Sequence, residues 1–600
     1  MTMITRVEQS YKHNFVSIVF GPFLKIIEAF FDLLIPLFMK AIIDLNAYHN
    51  PEDIPHTIST SLASFIRIFN PGASALGDAI AGALIILVMG IVGFAITMCS
   101  QYLAARASTN VGTEIRTSLY TKLLSLSKKE RENIGEAKLA TLINSDAYQV
   151  QQGVFLLIRL IVRAPFTVIG SLLLSFVLDW RVGLAFTAIA PLVLIVNILI
   201  LRQSSKKYIE IQSDLDGLSN STNEISDGAR VVRASNQEKQ ESQKFEDKTT
   251  SYKNKSIKVN RLNSFINPLT FAITSIVLIV IVLLLQKDLF ENRVLVSSTI
   301  IAEMAFLAQI FFAFTQLSQI TVEIVKAGVC RRRINGVFAI EPKIKNVDNP
   351  KTGEASYGEQ LIKFENVSFS FNDEGKFLDN LNFEIRKGET FGIIGGTGSG
   401  KTTVINLIER FYDASKGTIY YKGIPIKEYD LSALRNDIGL VNQKSSLFNG
   451  TIKSNYLMSN KSASDEDIFA ALKQAEAFEF VDKYEDKLDH PVKEGASNYS
   501  GGQKQRLCIG RALIKKPELL ILDDATSALD LLTDKKIRNN ISNLKDMTKV
   551  IVSQRVSTIQ NADFILVLEG GQVVGQGKHE DLLKNCLIYK EIYETQVKRD

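Results

Sequence analysis

The stretch Thr390-Phe391-Gly392-Ile393-Ile394-Gly395-Gly396-Thr397-Gly398-Ser399-Gly400-Lys401-Thr402-Thr403 decides the fold of the second half of this 600-residue chain. An apolar strand, Thr390 to Ile394, runs into a glycine-rich turn, and the turn runs into helical sequence from Thr403 to Arg410. That strand, loop and helix order is the context a phosphate-binding loop requires. Glycines let backbone N–H groups close around phosphate oxygens, and the start of the helix adds a favourable dipole. Lys401 is placed to reach the β and γ phosphates of a nucleotide, and the Thr402 hydroxyl to hold Mg²⁺.

Working outward, the run Leu519 to Leu522 ending in Asp523 is a second apolar strand carrying a carboxylate, suited to orient the magnesium shell together with Thr402. Strands and helices alternate from about residue 361 to the end, which predicts an α/β nucleotide-binding domain over 361–600. A polar stretch with Asn, Asp, Gly, Pro and Ser, residues 343–360, reads as a linker before it. Residues 1–342 are of a different chemistry: they hold most of the long uncharged runs and raise the mean hydropathy of the chain to +0.09.

A helix needs about 20 apolar residues to cross hydrocarbon, because its backbone groups must bond within the segment. Six spans are predicted, at about 18–45, 77–103, 153–178, 183–202, 263–286 and 295–327. Gly82 to Met98, Gly183 to Leu201 and Pro268 to Leu285 carry no charge and define the pattern. The other three contain charges. Lys25, Glu28, Arg159 and Arg163 read as headgroup or ion-paired residues, and Asp32 and Glu303 as candidates for a cavity wall. The loops after the second and fourth spans are rich in Lys and Arg, including Arg116, Lys128, Lys129, Arg131, Lys206, Arg230 and Arg233. By the positive-inside rule those loops and both termini face the cytoplasm. The first fifteen residues lack a short apolar core with a small-residue cleavage site, so no cleaved leader is expected.

Net charge and cysteines exclude other classes. The formal charge is +5 with both signs mixed along the chain, which does not favour nucleic-acid binding. Cys99, Cys330, Cys508 and Cys586 lie far apart without a CxxC pair, so neither a zinc site nor a disulfide framework is predicted.

Tyr499-Ser500-Gly501-Gly502-Gln503, just upstream of the carboxylate strand, resembles the LSGGQ signature of ABC ATPases, with Tyr at the usual Leu position. Ser226 to Ala234, after Glu224, is similar to a cytoplasmic loop of type IV ABC exporters, and Ile134 to Gln152 resembles another, with Leu142 where the family has Arg. The resemblance therefore spans the chain. It implies six long transmembrane helices of ABC exporter type fused to a P-loop nucleotide-binding domain, with ATP and Mg²⁺ as cofactors. It further implies that Phe371 stacks on adenine, that Gln443 serves the metal and the attacking water, and that Glu494 contacts the membrane loops. Gly395 to Thr403 bind the phosphates, Thr402, Gln443 and Asp523 surround the metal, and Ser527 to Asp530 form the loop after the catalytic strand. Ser500, Gly501, Gly502 and Gln503 close over ATP held by a second subunit. Coupling elements are expected near 134–140 and 212–220.

Two positions depart from the family pattern. Where the family has a catalytic Glu after the metal aspartate, this chain has Asp524, and where it has a switch His after the next strand, this chain has Gln554. A carboxylate one methylene short is a poorer base, and an amide cannot carry the proton an imidazole can. The pair resembles the degenerate-site subunit of heterodimeric bacterial multidrug exporters. The expected partner is a homologous half-transporter with Glu and His at those positions, and the expected cargo a small amphipathic compound, drug-like or lipid-like, leaving the cytoplasm across a bacterial plasma membrane. Two other readings stay open: a homodimeric lipid flippase or peptide exporter, and an ATP-gated regulatory or channel-like protein.

Overall fold

The computed structural model describes residues 15–54, 57–70, 74–291, 293–356, 358–371, 377–526 and 528–597. The chain divides into two compact units. One comprises 1–124 and 134–341, and the other 125–133 and 342–600.

The first unit is helical. Its long helices are Phe15–Tyr48, Ala75–Ser125, Trp180–Ala234, Glu238–Ser264, Ile266–Glu291 and Arg293–Ala339, with Ala147–Leu160 and Arg163–Leu178 between the second and third. The helix Trp180–Ala234 has 55 residues, or about 80 Å at the standard rise, far more than the ~30 Å of hydrocarbon. Among the described residues, five helices are long and apolar enough to cross a bilayer. Phe15–Tyr48 is long enough but carries Lys25, Glu28, Asp32, Lys40 and Asp44. Those charges are neutralised locally: Lys25 pairs with Glu28, Lys40 with Asp44 at 2.7 Å, and Arg163 with Asp32 at 2.9 Å and Glu28 at 3.4 Å. Asp32 is thus an ion-pair member, with its side chain partly exposed. Glu303, the other candidate, is fully buried beside Ser175. The surrounding core is built from Leu33, Leu178, Val182, Phe186, Val277, Ile281 and Phe306. Leu87, Ile91, Phe94, Leu173, Ile195, Ile279 and Leu283 are exposed instead, on helices whose apolar faces suit lipid.

Two predicted spans are broken. The stretch 153–178 turns at Ile161 and Val162, and 263–286 at Phe265. Each break has a proline at the third helical position after it, Pro165 and Pro268. Such a proline donates no N–H and its ring clashes with the carbonyl four residues earlier, so the preceding helix cannot run through.

In the second unit a six-stranded sheet has the order β12-β11-β3-β10-β9-β6. The strands are β3 (Thr390–Gly395), β6 (Ile438–Val441), β9 (Leu519–Asp523), β10 (Thr548–Ser553), β11 (Phe564–Glu569) and β12 (Gln572–Gly577). All neighbours pair in parallel except β11 with β12. β9 is buried at every residue, as parallel strands covered on both faces must be. A second, antiparallel sheet has the order β2-β1-β4-β5, with β1 at Gln360–Phe369, β2 at Leu378–Arg386, β4 at Lys416–Tyr421 and β5 at Ile424–Pro425. Phe364, Phe383, Phe391 and Leu407 join the two sheets and the helix Lys401–Ile408 in one core. A second core gathers the helices between residues 452 and 513, with Tyr456, Leu472, Leu507 and Ile509 inside.

Candidate functional site

In parallel α/β sheets the useful crevice lies beyond the carboxyl ends of the strands, and three adjacent strands end together here. The register pairs Val552 of β10 with Asp523 of β9, and Ser553 of β10 with Ile394 of β3. The phosphate loop, the carboxylate pair Asp523 and Asp524, and Gln554 are therefore neighbours by strand order alone. A cleft forms there, lined by Thr397, Gly398, Gly400, Lys401, Thr402, Thr403, Gln443, Asp523, Asp524 and Gln554, with Phe377, Val552 and Ser553.

The loop needs its glycines. Gly398 and Gly400 have φ of 80° and 101°, left-handed values that side chains rarely adopt. A Cβ on Gly395 would stand 2.1 Å from the carbonyl oxygen of Leu568 on β11. The helix Lys401–Ile408 starts at Gly400. Lys401 folds onto the loop: its Nζ donates to the carbonyls of Gly395 at 2.8 Å and Gly396 at 2.7 Å, and to Ser399 Oγ at 3.4 Å. Burial draws its pKa below the usual lysine value, against the opposing pull of Asp524 and Asp523. A cation held on carbonyls at the mouth of a ring of N–H groups fits a polyphosphate.

Burial raises the pKa of Asp523, and the charge of Asp524 adds to this; a hydrogen bond from Thr402 and the charge of Lys401 oppose it. Hydroxyl and carboxylate already lie together, as an oxygen-ligated divalent cation requires. Asp524 has φ 49°, a left-handed backbone that Asp tolerates better than most residues. Its N–H donates to Val552 O at 2.9 Å, and Gln443 Nε2 donates to its Oδ2 at 3.4 Å. Gln554 faces the same cleft from the exposed end of β10.

Not every predicted site residue gathers there. Phe371 packs edge-on against Phe369, Phe377 and Tyr412, with centroids 4.8, 5.1 and 5.5 Å apart, and it is Phe377 that lines the cleft. Ser500, Gly501, Gly502 and Gln503 do not line it either. They begin the helix Gly501–Leu513, where Ser500 Oγ accepts from Gln503 N–H and the Gln503 side chain accepts from Ser500 N–H, a capping box. Tyr499 is buried against Tyr484, its hydroxyl donating to Pro491 O at 3.3 Å. Ser527 lies outside the described residues.

Residues 134–140 belong to the first unit, and the preceding segment 125–133 to the second. There Lys129 Nζ donates to Phe371 O, Tyr412 OH donates to Glu132 at 3.3 Å, and Glu130 accepts from the N–H groups of Ser127 and Lys343 at 2.7 and 3.1 Å. Near 212–220 the helix is unbroken; it ends at Ala234, and the chain turns at Ser235–Gln237 with Asn236 at φ 54°.

A membrane-embedded helical unit joined to a P-loop domain, with a carboxylate pair and a separate signature helix, defines an ATP-driven transporter with an ATPase domain. Residues 18–320 match the family described as ABC transporter transmembrane region, and residues 378–527 the family described as ABC transporter. A putative ABC transporter ATP-binding protein of Mycoplasma genitalium is 31% identical, over 97% of this chain and 96% of its own. An ATP-dependent lipid A-core flippase of Saccharophagus degradans is 30% identical over 81% and 82%. In fold the chain is similar to a bacterial Atm1-family ABC exporter solved with ATP bound, with a TM-score of 0.77 over 95% of this chain and 98% of that one, at 22% identity. The chain belongs to the ABC transporter family.

Proposed function

We propose that the protein is one half of an ABC exporter that moves an amphipathic compound out of the cytoplasm by alternating access, and that its own ATP site hydrolyses slowly. The observation that carries this reading is the company of the phosphate loop: Asp524 and Gln554 stand where a longer carboxylate and an imidazole would do faster chemistry. Lys401 leaves the loop carbonyls for the β and γ phosphates. Thr402 and Asp523, with Gln443, would hold Mg²⁺, which would supply charge neutralisation of the phosphates. Asp524 orients the attacking water from one methylene further away than Glu would, and Gln554 donates a hydrogen bond to the γ-phosphate without exchanging a proton.

The signature residues Ser500 to Gln503, ordered by their own capping box and away from this cleft, complete the site of a partner half-transporter with Glu and His at the matching positions. ATP at this chain's loop then chiefly holds the two halves closed. Lipid-like cargo is favoured over other amphipathic compounds by the likeness to relatives named lipid A-core flippases. If those relatives are the better guide to assembly as well, a homodimer is the second reading. ATP-dependent uptake of a fluorescent lipid and a fluorescent hydrophobic cation into inside-out vesicles, with and without a co-expressed half-transporter, tests the proposal. Accumulation against a gradient only with the partner supports it. Accumulation by this chain alone favours the homodimer, and a flux that merely dissipates a gradient rules out pumping.

A further inference from the structure

The chain's last described helix, Leu587–Val597, reaches back to the segment that carries Gln554. The Gln596 side chain uses both ends of its amide: Nε2 donates to the carbonyl of Gln554 at 2.7 Å, and Oε1 accepts from the N–H of Val556 at 2.8 Å. Between them Arg555 N–H donates to Ser553 Oγ at 2.9 Å. The strand end is therefore tied at three successive points just where the backbone leaves β10 and enters the short helix Val556–Ile559.

The same helix is fixed to the phosphate-loop strand. Tyr589, Ile592 and Tyr593 pack in one cluster with Val556, Ile559 and Ile394, and Tyr589 is fully buried with its hydroxyl 2.7 Å from His579 Nδ1. Ile394 immediately precedes the phosphate loop. A rigid apolar contact thus sets the height of the helix over β3, and one polar side chain at its end sets the direction of the Gln554 segment.

We infer that Gln596 is a positioning residue for the γ-phosphate switch, holding the backbone of Gln554 so that its side chain points into the cleft. This rests on the reading of Gln554 as a γ-phosphate partner. Gln554 is exposed, and among the described residues no hydrogen bond holds its side chain, so the main chain sets its orientation. The two bonds are complementary: a glutamate can replace the acceptor half but not the donor half, and a leucine neither.

A contact that serves only the γ-phosphate changes ATP binding and leaves ADP binding alone. The test is equilibrium binding of MgATP and MgADP to the full chain in nanodiscs, for Gln596→Leu, Gln596→Glu, Gln554→Ala and the double variant Gln554→Ala/Gln596→Leu. The account expects Gln596→Leu to weaken ATP about fivefold, the factor of one lost hydrogen bond, with ADP unchanged. Gln596→Glu should fall between wild type and Gln596→Leu. The double variant should bind as Gln554→Ala does, because the two act through one contact. Should Gln596→Leu fail to fold, the glutamate variant carries the same comparison. Equal weakening of ATP and ADP, or no change in either, overturns the inference while Gln554→Ala still discriminates. If Gln554→Ala also leaves the ATP to ADP ratio untouched, the switch reading is wrong and the inference falls with it.

Discussion

Alanine at each of four glycines of the phosphate loop separates the cost of space from the cost of backbone conformation. At Gly396 a Cβ meets nothing within 4 Å, so the change should cost less than about 0.5 kcal/mol, as at an unconstrained surface site. At Gly398 there is also open space, but φ is +80°, and a side chain in the left-handed region costs about 1–2 kcal/mol. Gly400 combines φ +101° with a Cβ 2.4 Å from Leu378 Cδ2, and Leu378 is fully buried, so the neighbour gives only by disturbing the core. Overpacking adds about 1–3 kcal/mol there. At Gly395 the obstacle is backbone, Leu568 O at 2.1 Å, and ordinary contact begins at 3.4 Å. Strands β3 and β11, paired at these two residues, must move apart by more than 1 Å. The predicted order of loss, in thermal stability and in affinity for a fluorescent ATP analogue, is Gly396 least, then Gly398, then Gly400 and Gly395. Thermal unfolding and fluorescence titration of the four variants measure it. Gly396→Ala as damaging as Gly395→Ala, or Gly398→Ala as mild as Gly396→Ala, would refute the reasoning.

Other perturbations follow from named groups. Glu409 is almost fully buried, with Oε2 lacking a hydrogen-bond partner among the described residues, and its pKa is pushed up to about 8 by burial. Arg435, Lys128 and Lys515 oppose that shift and Asp523 reinforces it. Between the ordinary value of 4.5 and about 8 only the folded state keeps the proton, so stability is present below that window and lost as pH rises through it. Melting at pH 6 and pH 8.5 should show a fall in Tm for the wild type that Glu409→Gln reduces; an equal fall in both contradicts the assignment. Ser500→Ala removes the cap of the helix Gly501–Leu513, at a cost of about 1 kcal/mol. With a partner present it should lower steady-state ATPase by about tenfold or more, as loss of a donor to a phosphate does, while ATP binding at Lys401 stays unchanged; lost binding at this loop would place the signature in the wrong site. Thr402→Val deletes the hydrogen bond to Asp523 and a metal oxygen, so Mg²⁺ should cease to enhance nucleotide binding, which titration with and without chelator reads.

What the sequence revealed and what it hid divide by range. The loop, Asp523, Asp524 and Gln554 were legible because each sits at the end of an apolar strand, and strand order then brings them together. The pairing of the charges in Phe15–Tyr48 was only partly legible: Arg163 lies more than a hundred residues from Asp32, while Lys40 and Asp44 are one turn apart. The helix breaks at Ile161 and Phe265 were signalled by Pro165 and Pro268, whose effect falls several residues upstream of the proline itself. The edge-on packing of Phe371 against Phe369, Phe377 and Tyr412 was not legible, because Tyr412 lies some forty residues further on. Gln596 carries no local pattern, because its side chain bonds the main chain of a residue 42 positions away.

We propose that the phosphate loop binds ATP in a site that hydrolyses it slowly. Steady-state ATPase of the purified chain, compared with Asp524→Glu, Gln554→His and the double variant, tests it most directly. A carboxylate misplaced by about 1 Å costs roughly a hundredfold, so the account predicts that Asp524→Glu raises kcat by ten- to a hundredfold, that adding Gln554→His raises it further, and that ATP affinity changes little. A wild-type chain that already turns over at the rate of the double variant would contradict it.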